Sequence, residues 1–243
     1  MHTQSCQSHP YTMRDAVIAR NAAGVSCMMN GDLRTATTSF LAALEDSRGL
    51  LGPDCNGSSL PCLNTMSNAC VEGPQSFATV EIGCGSRTEA ANGSVFAIFN
   101  QCLIIPDRNS FDSIFARNED IIPCILLYNV GLSLQIQGMQ LSSEAFISRA
   151  HYAYDLALTI LKGMGEESMG AEGLLLLLAV LNNLAAIESL RFNLDKAVNY
   201  GELIRGLLEN EEFADMLGDS IFDFFILYLF LTPRMCQPAA PAA

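Results

Sequence analysis

The sequence has no tryptophan and carries little charge. Asp, Glu, Lys and Arg make up 16% of its 243 residues, whereas about 25% is usual for a soluble domain. Hydrophobic residues make up 50%, which is enough apolar surface for a packed core. Such a chain either buries nearly all of this surface or keeps part of it for a partner.

Basic residues are scarce. The chain has 13 Lys and Arg against 26 Asp and Glu, a formal net charge of −13. Nucleic acids and anionic lipids are bound mainly through Lys and Arg, and the sequence shows no basic patch. We therefore expect no nucleic-acid partner. An apolar or basic protein segment is the partner that this charge favours.

Catalytic motifs are also missing. Two of the three histidines, His2 and His9, lie near the N-terminus, and His151 lies within a predicted helix. Their spacing supports no Ser/His/Asp or Cys/His set. The Gly-Cys-Gly run at residues 83–85 lacks a third glycine and a following helix, so it is a weak signal for phosphate binding. We predict that the chain is not an enzyme and has no cofactor.

The nine cysteines contain no CxxC pair, and the N-terminus lacks the apolar core of a secretory signal. Free thiols in a reducing compartment follow, which predicts an intracellular protein, cytoplasmic or nuclear and not secreted. Cys55, Cys62 and Cys70 form a loose cluster without neighbouring histidines, so we predict no metal site. A thiol-dependent regulator, or a cofactor-free enzyme without a recognisable motif, stays open as the alternative.

Two apolar runs, at 174–181 and 221–231, were tested as membrane spans. The first is followed by Asn182 and Asn183, and the second contains Asp223. Both are shorter than the roughly 18 to 20 residues that a span needs. We predict buried helices and no membrane span.

Composition and periodicity divide the chain into six segments. These are a loose N-terminus (1–11), a first helical hairpin (12–48), an irregular insertion that contains a β-hairpin (49–120), a second and third helical hairpin (121–208), an acidic and apolar capping helix (209–232), and an Ala/Pro tail (233–243). In the last 120 residues or so, the 3.6-residue period predicts helices at 123–138, 142–162, 171–191, 194–208 and 212–231.

Small residues recur at fixed distances in the helical segments. Gly24 is followed by Gly31 after seven residues and by Ala36 after twelve. Two later segments repeat these steps, Gly131 to Gly138 in one, and Ala185 to Phe192 and Ala197 in the other. Small residues let a neighbouring helix approach closely. A single helix pair cannot bury its apolar face, so the pairs are expected to stack.

The second helix of the first pair continues with Phe40 and Ala43, which fill the space below Ala36. The same spacing returns in the second pair as Ala150, Tyr154 and Ala157. There, seven extra residues follow Gly138. This predicts a longer second helix, whose face drifts by only about 20°.

These residues resemble the tetratricopeptide repeat, a helix–turn–helix unit of about 34 residues. The resemblance is best over 17–48. The Trp and the closing Pro of the family are absent. The resemblance implies an all-α fold: a short helical-hairpin repeat stack with a long irregular insertion and a C-terminal capping helix. It also implies a protein–protein interaction adaptor or scaffold.

In the resembled family, ligands lie along the concave surface formed by the first helix of each pair. Carried over by register, the partner-binding residues would be Ile18, Asn21, Val25, Met28, Ile125, Tyr128, Leu132, Gln135, Asn182 and Ala186. None is basic, so an apolar segment is favoured over an acidic tail, with Asn21 and Asn182 bonding its backbone. Alternatively, this stripe packs internally against the insertion or its hairpin.

The C-terminal helix is a second candidate interface. Residues 209–223 carry six acids and no base, and residues 222–231 are apolar almost all round. A helix that is apolar all round is buried on several sides. We expect internal burial, with a second copy of the chain or a partner as the alternatives.

Overall fold

The computed structural model describes residues 10–48, 79–82, 98–105, 121–164, 166–210, 213, 217 and 219–231. They form seven helices and two strands: α1 (Pro10–Met29), α2 (Leu33–Arg48), β1 (Thr79–Glu81), β2 (Gln101–Leu103), α3 (Ile121–Gln140), α4 (Glu144–Met164), α5 (Glu166–Leu190), α6 (Leu194–Leu208) and α7 (Asp219–Leu231). The described residues are mostly helical and include a small two-stranded antiparallel sheet, as predicted. The cysteine cluster and the Ala/Pro tail lie outside the described residues.

Helices α3 and α5 are buried on nearly all sides, whereas α1, α2, α4 and α6 are buried on one side. In α3, every residue from Cys124 to Gly138 is buried, whereas α2 and α4 bury a single stripe. A helix with neighbours on several sides has no face left for water and is therefore apolar all round. Helix α5 is similar. It contains a kink at Gly170 (φ 56°), next to the start predicted for this helix at 171.

Three turns join the helix pairs, and they share one hydrogen-bond pattern. Each has a residue in the left-handed region: Gly31 (φ 77°), Ser142 (φ 48°) and Phe192 (φ 60°). The following residue donates its N–H back into the first helix, from Asp32, Ser143 and Asn193 to the carbonyls of Cys27, Gly138 and Glu188 (2.9, 2.8 and 2.9 Å). This is the Schellman pattern of a helix C-terminus.

The positions of the turns show that one predicted helix boundary in the second pair is wrong. Gly24 and Ala185 each lie seven residues before the left-handed residue, but Gly131 lies eleven before Ser142. The prediction that Gly138 breaks the helix is wrong, because α3 continues to Gln140. The extra residues therefore lengthen both helices of this pair by about one turn each, not the second helix alone.

The small residues lie where helices touch. A methyl group on Gly24 would overlap the ring of Phe40, and one on Gly131 would lie 2.6 Å from Cε1 of Tyr154. Ala185 is completely buried. The predicted close approach at these three positions is confirmed.

Helices α2 and α3 pack directly, although residues 49–120 separate them in sequence. The hydroxyl groups of Thr37 and Ser133 are 2.8 Å apart. The side-chain amide of Gln137 donates to the carbonyl of Leu33 (3.2 Å) and to the Thr37 hydroxyl (3.0 Å). These buried groups satisfy one another, as polar groups without water must.

The two strands run antiparallel, with Thr79 opposite Leu103 and Glu81 opposite Gln101. We call residues 98–105, which contain β2, the groove strand, because side chains of several helices surround it. Its Phe99 ring stacks on Phe225 of α7, with ring centroids 5.3 Å apart. Phe225 is fully buried, whereas Ile221, Phe222 and Phe224 are only partly buried. Internal burial of the whole C-terminal helix therefore stays a prediction. Association of two copies through α7 stays a prediction.

Within the part of the chain that the structure describes, two helices are long and apolar enough to cross a membrane by length and composition. They are Ile121–Gln140 and Met169–Leu190, with mean hydropathy 1.4 and 1.8. In both, 94% of the apolar window is buried inside the protein. Burial of this kind is typical of core helices in a soluble protein. That the chain has no membrane span remains a prediction.

Candidate functional site

The groove strand has two main-chain edges with different partners. On one edge, the N–H of Ile82, just after β1, donates to the carbonyl of Asn100 (3.0 Å). On the other edge, the odd-numbered residues Phe99, Gln101 and Leu103 bond to helix side chains instead of to a third strand. Alternate residues of a strand present their main-chain groups to opposite edges. The helices therefore complete the sheet.

Two asparagines make the same pair of bonds to this edge. Asn129 of α3 accepts from the N–H of Leu103 (3.1 Å) and donates to its carbonyl (2.8 Å). Asn183 of α5 does the same with Phe99 (2.9 and 3.2 Å). A primary amide carries both a donor and an acceptor. It can therefore replace a peptide group of a neighbouring strand.

Each asparagine uses its second amide hydrogen on a supporting group. Asn129 donates to Oδ1 of Asn21 (3.0 Å), and Asn183 donates to the hydroxyl of Tyr154 (3.1 Å). Asn21 in turn donates to the carbonyl of Leu103 (3.2 Å). The Tyr154 hydroxyl donates to Gln135 (2.9 Å). These bonds hold both amides in the orientation that matches the strand.

Tyr128 adds a donor between the two asparagines. Its hydroxyl lies 2.9 Å from the carbonyl of Phe99 and 3.1 Å from that of Gln101. Burial raises the pKa of Tyr128 well above its ordinary value, and the neighbouring Tyr154 and Cys102 raise it further. Burial also raises the pKa of Tyr154. Both hydroxyl groups therefore keep their protons at neutral pH and can donate.

We call Asn21, Tyr128, Asn129 and Asn183 together the amide groove. They come from α1, α3 and α5, the first helix of each pair, and all are fully buried. Their hydrogen bonds reach the strand through its main chain, so they recognise extended backbone and not a particular side chain.

Two side-chain sites accompany the amide groove. The Phe99 ring lies 5.3 Å from both Phe224 and Phe225 of α7, edge-on to the first and stacked on the second. The Leu103 side chain is fully buried four residues further on. These two positions give the strand a register that main-chain bonds alone would not.

Cys102 immediately precedes Leu103 in the sequence. Its Sγ lies 3.2 Å from Sδ of Met28. Burial raises the pKa of the Cys102 thiol well above its usual range. A protonated, fully buried thiol is a poor nucleophile. The thiol-dependent alternative therefore receives no support from this cysteine.

Five of the ten predicted partner-binding residues contact the groove strand or the groups that support it, namely Asn21, Met28, Tyr128, Gln135 and Asn182. Nine are buried inside the protein and one, Ile18, is half-buried: Asn21, Val25, Met28, Ile125, Tyr128, Leu132, Gln135, Asn182 and Ala186. Among them, Asn21, Met28 and Tyr128 contact the groove strand directly. The internal-packing alternative describes their positions, and direct contact with a separate partner stays a prediction.

Of the two asparagines predicted to bond an extended backbone, Asn21 is correct and Asn182 is wrong by one residue. Asn21 does bond the strand, but Asn182 donates to Asn183 (3.2 Å) instead. Asn129 and Asn183 were missed, although a signal was present. Each lies two residues before the small residue of its own helix, Gly131 or Ala185.

A second polar cluster lies away from the groove. Nε2 of His151 is 2.8 Å from the buried carboxylate of Glu188, and the amide of Asn193 is 2.6 Å from its other oxygen. Burial raises the pKa of this carboxyl, but the bonds from Asn193 and His151 outweigh it and leave the pKa below its ordinary value. The cluster ties α4 to the α5–α6 turn.

No protein-family model, curated protein sequence or solved structure matches this chain.

Proposed function

We propose that this chain is a protein-interaction adaptor of tetratricopeptide-like build. Its ligand is an extended polypeptide, held by its main chain along the concave face of the first helices. The observation that carries the proposal is the matched pair Asn129 and Asn183. Each side-chain amide bonds both main-chain groups of one strand residue, and the two strand residues are four apart.

The repeat assignment rests on two independent features. The three turns share one left-handed position and one hydrogen-bond pattern. The close contacts of Gly24 with Phe40 and of Gly131 with Tyr154 also correspond between the first two pairs. Recurrent turns and recurrent contacts are what a stack of helical hairpins requires, because each pair packs only on its neighbours.

The amide groove contains no charged residue. Main-chain recognition in a buried groove of this kind suits an apolar strand, since a charged side chain would lose its hydration there. An acidic ligand would also meet a chain of formal charge −13. The partner class is therefore an apolar or basic segment that adopts an extended conformation.

The proposal is tested by affinity capture from the native host with three forms of the full chain. These are wild type, Asn183→Ala and Tyr152→Ala. Tyr152 is 70% exposed on α4 and is the matched control. We expect a partner to remain bound to wild type and to Tyr152→Ala, and to be lost with Asn183→Ala. Circular dichroism checks that the variants keep their helices.

Two results would count against the adaptor function. In the first, nothing remains bound to a monodisperse wild-type chain. In the second, the same proteins remain on all three forms, which would place the binding surface outside the amide groove.

A further inference from the structure

The contacts of the groove strand are transferable to another chain. Its hydrogen bonds to the helices use the main chain of Phe99, Gln101 and Leu103. Any extended segment could make them. The side-chain requirements are an aromatic ring at the position of Phe99, a Leu-sized group four residues later, and side chains that fit the buried positions of Cys102 and Ile105. These requirements define a ligand class.

The lining of the groove also suits an occupant that can leave. Asn21, Asn129 and Asn183 face the strand with amides. If the strand departs, water can bond to these amides. A groove lined by Leu would instead expose apolar surface at a cost that grows with its area. While the strand is bound, the same amides satisfy the buried main-chain groups of Phe99 and Leu103, as buried polar groups require.

The hairpin that supplies the strand is short. Three residues of β1 pair with three of β2, and an isolated two-stranded hairpin is marginally stable at best in water. The strand therefore depends on the groove for its order. As part of the same chain it competes with any outside ligand at an effective concentration of about millimolar or higher.

We propose that residues 98–105 are an exchangeable internal ligand of the amide groove. The external ligand is an apolar strand of a separate protein, with an aromatic residue followed four residues later by leucine or a similar side chain. It binds by replacing the chain's own strand. This inference rests on the proposed function, and it adds the ligand pattern and the competing segment.

The probe is a labelled synthetic peptide of residues 97–105, with serine for cysteine and lysines at both ends for solubility. Its binding is measured by fluorescence anisotropy with the full wild-type chain and with the variant Phe99→Ser. The variant should bind about 100-fold more tightly, because losing a buried aromatic side chain weakens the internal competitor by that order. A peptide with serine at the Phe position, and one with an N-methyl group on its Leu, should bind neither chain.

Hydrogen exchange of the wild-type chain gives an independent readout. Saturating peptide should remove protection from the amides of Phe99 and Leu103, because the displaced strand loses its acceptors. Hydrogen exchange therefore tests displacement of residues 98–105 even if Phe99→Ser does not fold. In that case Phe99→Leu replaces Phe99→Ser in the anisotropy experiment.

The outcomes separate the two proposals. Equal affinity for both chains with unchanged protection of residues 99–103 would overturn the exchange and leave an adaptor that binds elsewhere. No binding to either chain, with the helical spectrum intact, would overturn the groove as a binding site as well. Dimers of the wild-type chain with exchanged strands would identify a second copy as the ligand and overturn the assignment to a separate protein.

Discussion

Replacing Gly131 by alanine tests the helix packing behind the site. The new methyl group would lie 2.6, 2.8 and 2.9 Å from three ring carbons of Tyr154. The ring cannot easily move, because it is fully buried and its hydroxyl is held by Gln135 and Asn183. Relief of the overlap must therefore come from separating α3 and α4 or from breaking these bonds.

Two effects of opposite sign determine how much Gly131→Ala changes the free energy of unfolding. Alanine in place of glycine favours a helix by about 1 kcal/mol. Overpacking a rigid contact costs about 1 to 3 kcal/mol, and the disturbed hydrogen bond of Tyr154 adds about 1 kcal/mol. We expect Gly131→Ala to lower the free energy of unfolding by about 2 kcal/mol.

Gly206 is the matched control. It lies in α6, and a methyl group there would meet nothing within 4 Å. Gly206→Ala should raise the free energy of unfolding by about 0.5 to 1 kcal/mol, through helix propensity alone. Urea denaturation followed by far-ultraviolet circular dichroism measures both variants. A Gly131→Ala variant as stable as Gly206→Ala would show that α3 and α4 are not closely packed at Gly131.

Three further predictions concern the turns, the polar cluster and the groove. Phe192→Gly should raise the free energy of unfolding by about 1 kcal/mol, because Phe192 has φ 60° and is 87% exposed; a lower melting temperature would contradict this. In the Glu188→Gln variant, the free energy of unfolding should decrease less steeply as the pH is lowered. The pKa of Glu188 is lowered in the fold, so its contribution is present above its unfolded pKa, about 4.5, and is lost as pH falls through the lower folded value. An unchanged pH profile of unfolding would exclude this role. Asn129→Ala should cost about 2 kcal/mol and speed hydrogen exchange at the Leu103 amide more than at Phe99, which Asn183 still holds; equal acceleration at both would argue against separate amide sites.

Much of the helical architecture follows from local sequence pattern. The helix predicted at 194–208 has those limits in the structure. The small residues Gly24, Gly131 and Ala185 lie at helix contacts as expected. Both results depend on short-range properties, the 3.6-residue period and side-chain size, which a single sequence displays directly.

The second turn shows where local rules fail. A glycine at 138 predicted the helix end, yet Ser142 adopts the left-handed conformation and Gly138 packs inside α3 against Ile147. Glycine serves both turns and close helix contacts. Which role it takes depends on the helix that packs against it.

Local sequence pattern is enough to predict the helix pairs, the small residues between them and a first-helix face without positive charge. Tertiary structure decided what covers that face. Asn129 meets Leu103 across 26 residues, and Asn183 meets Phe99 across 84. An asparagine has the same donor and acceptor whether it bonds an outside peptide or its own chain, and only the folded positions of distant segments distinguish the two.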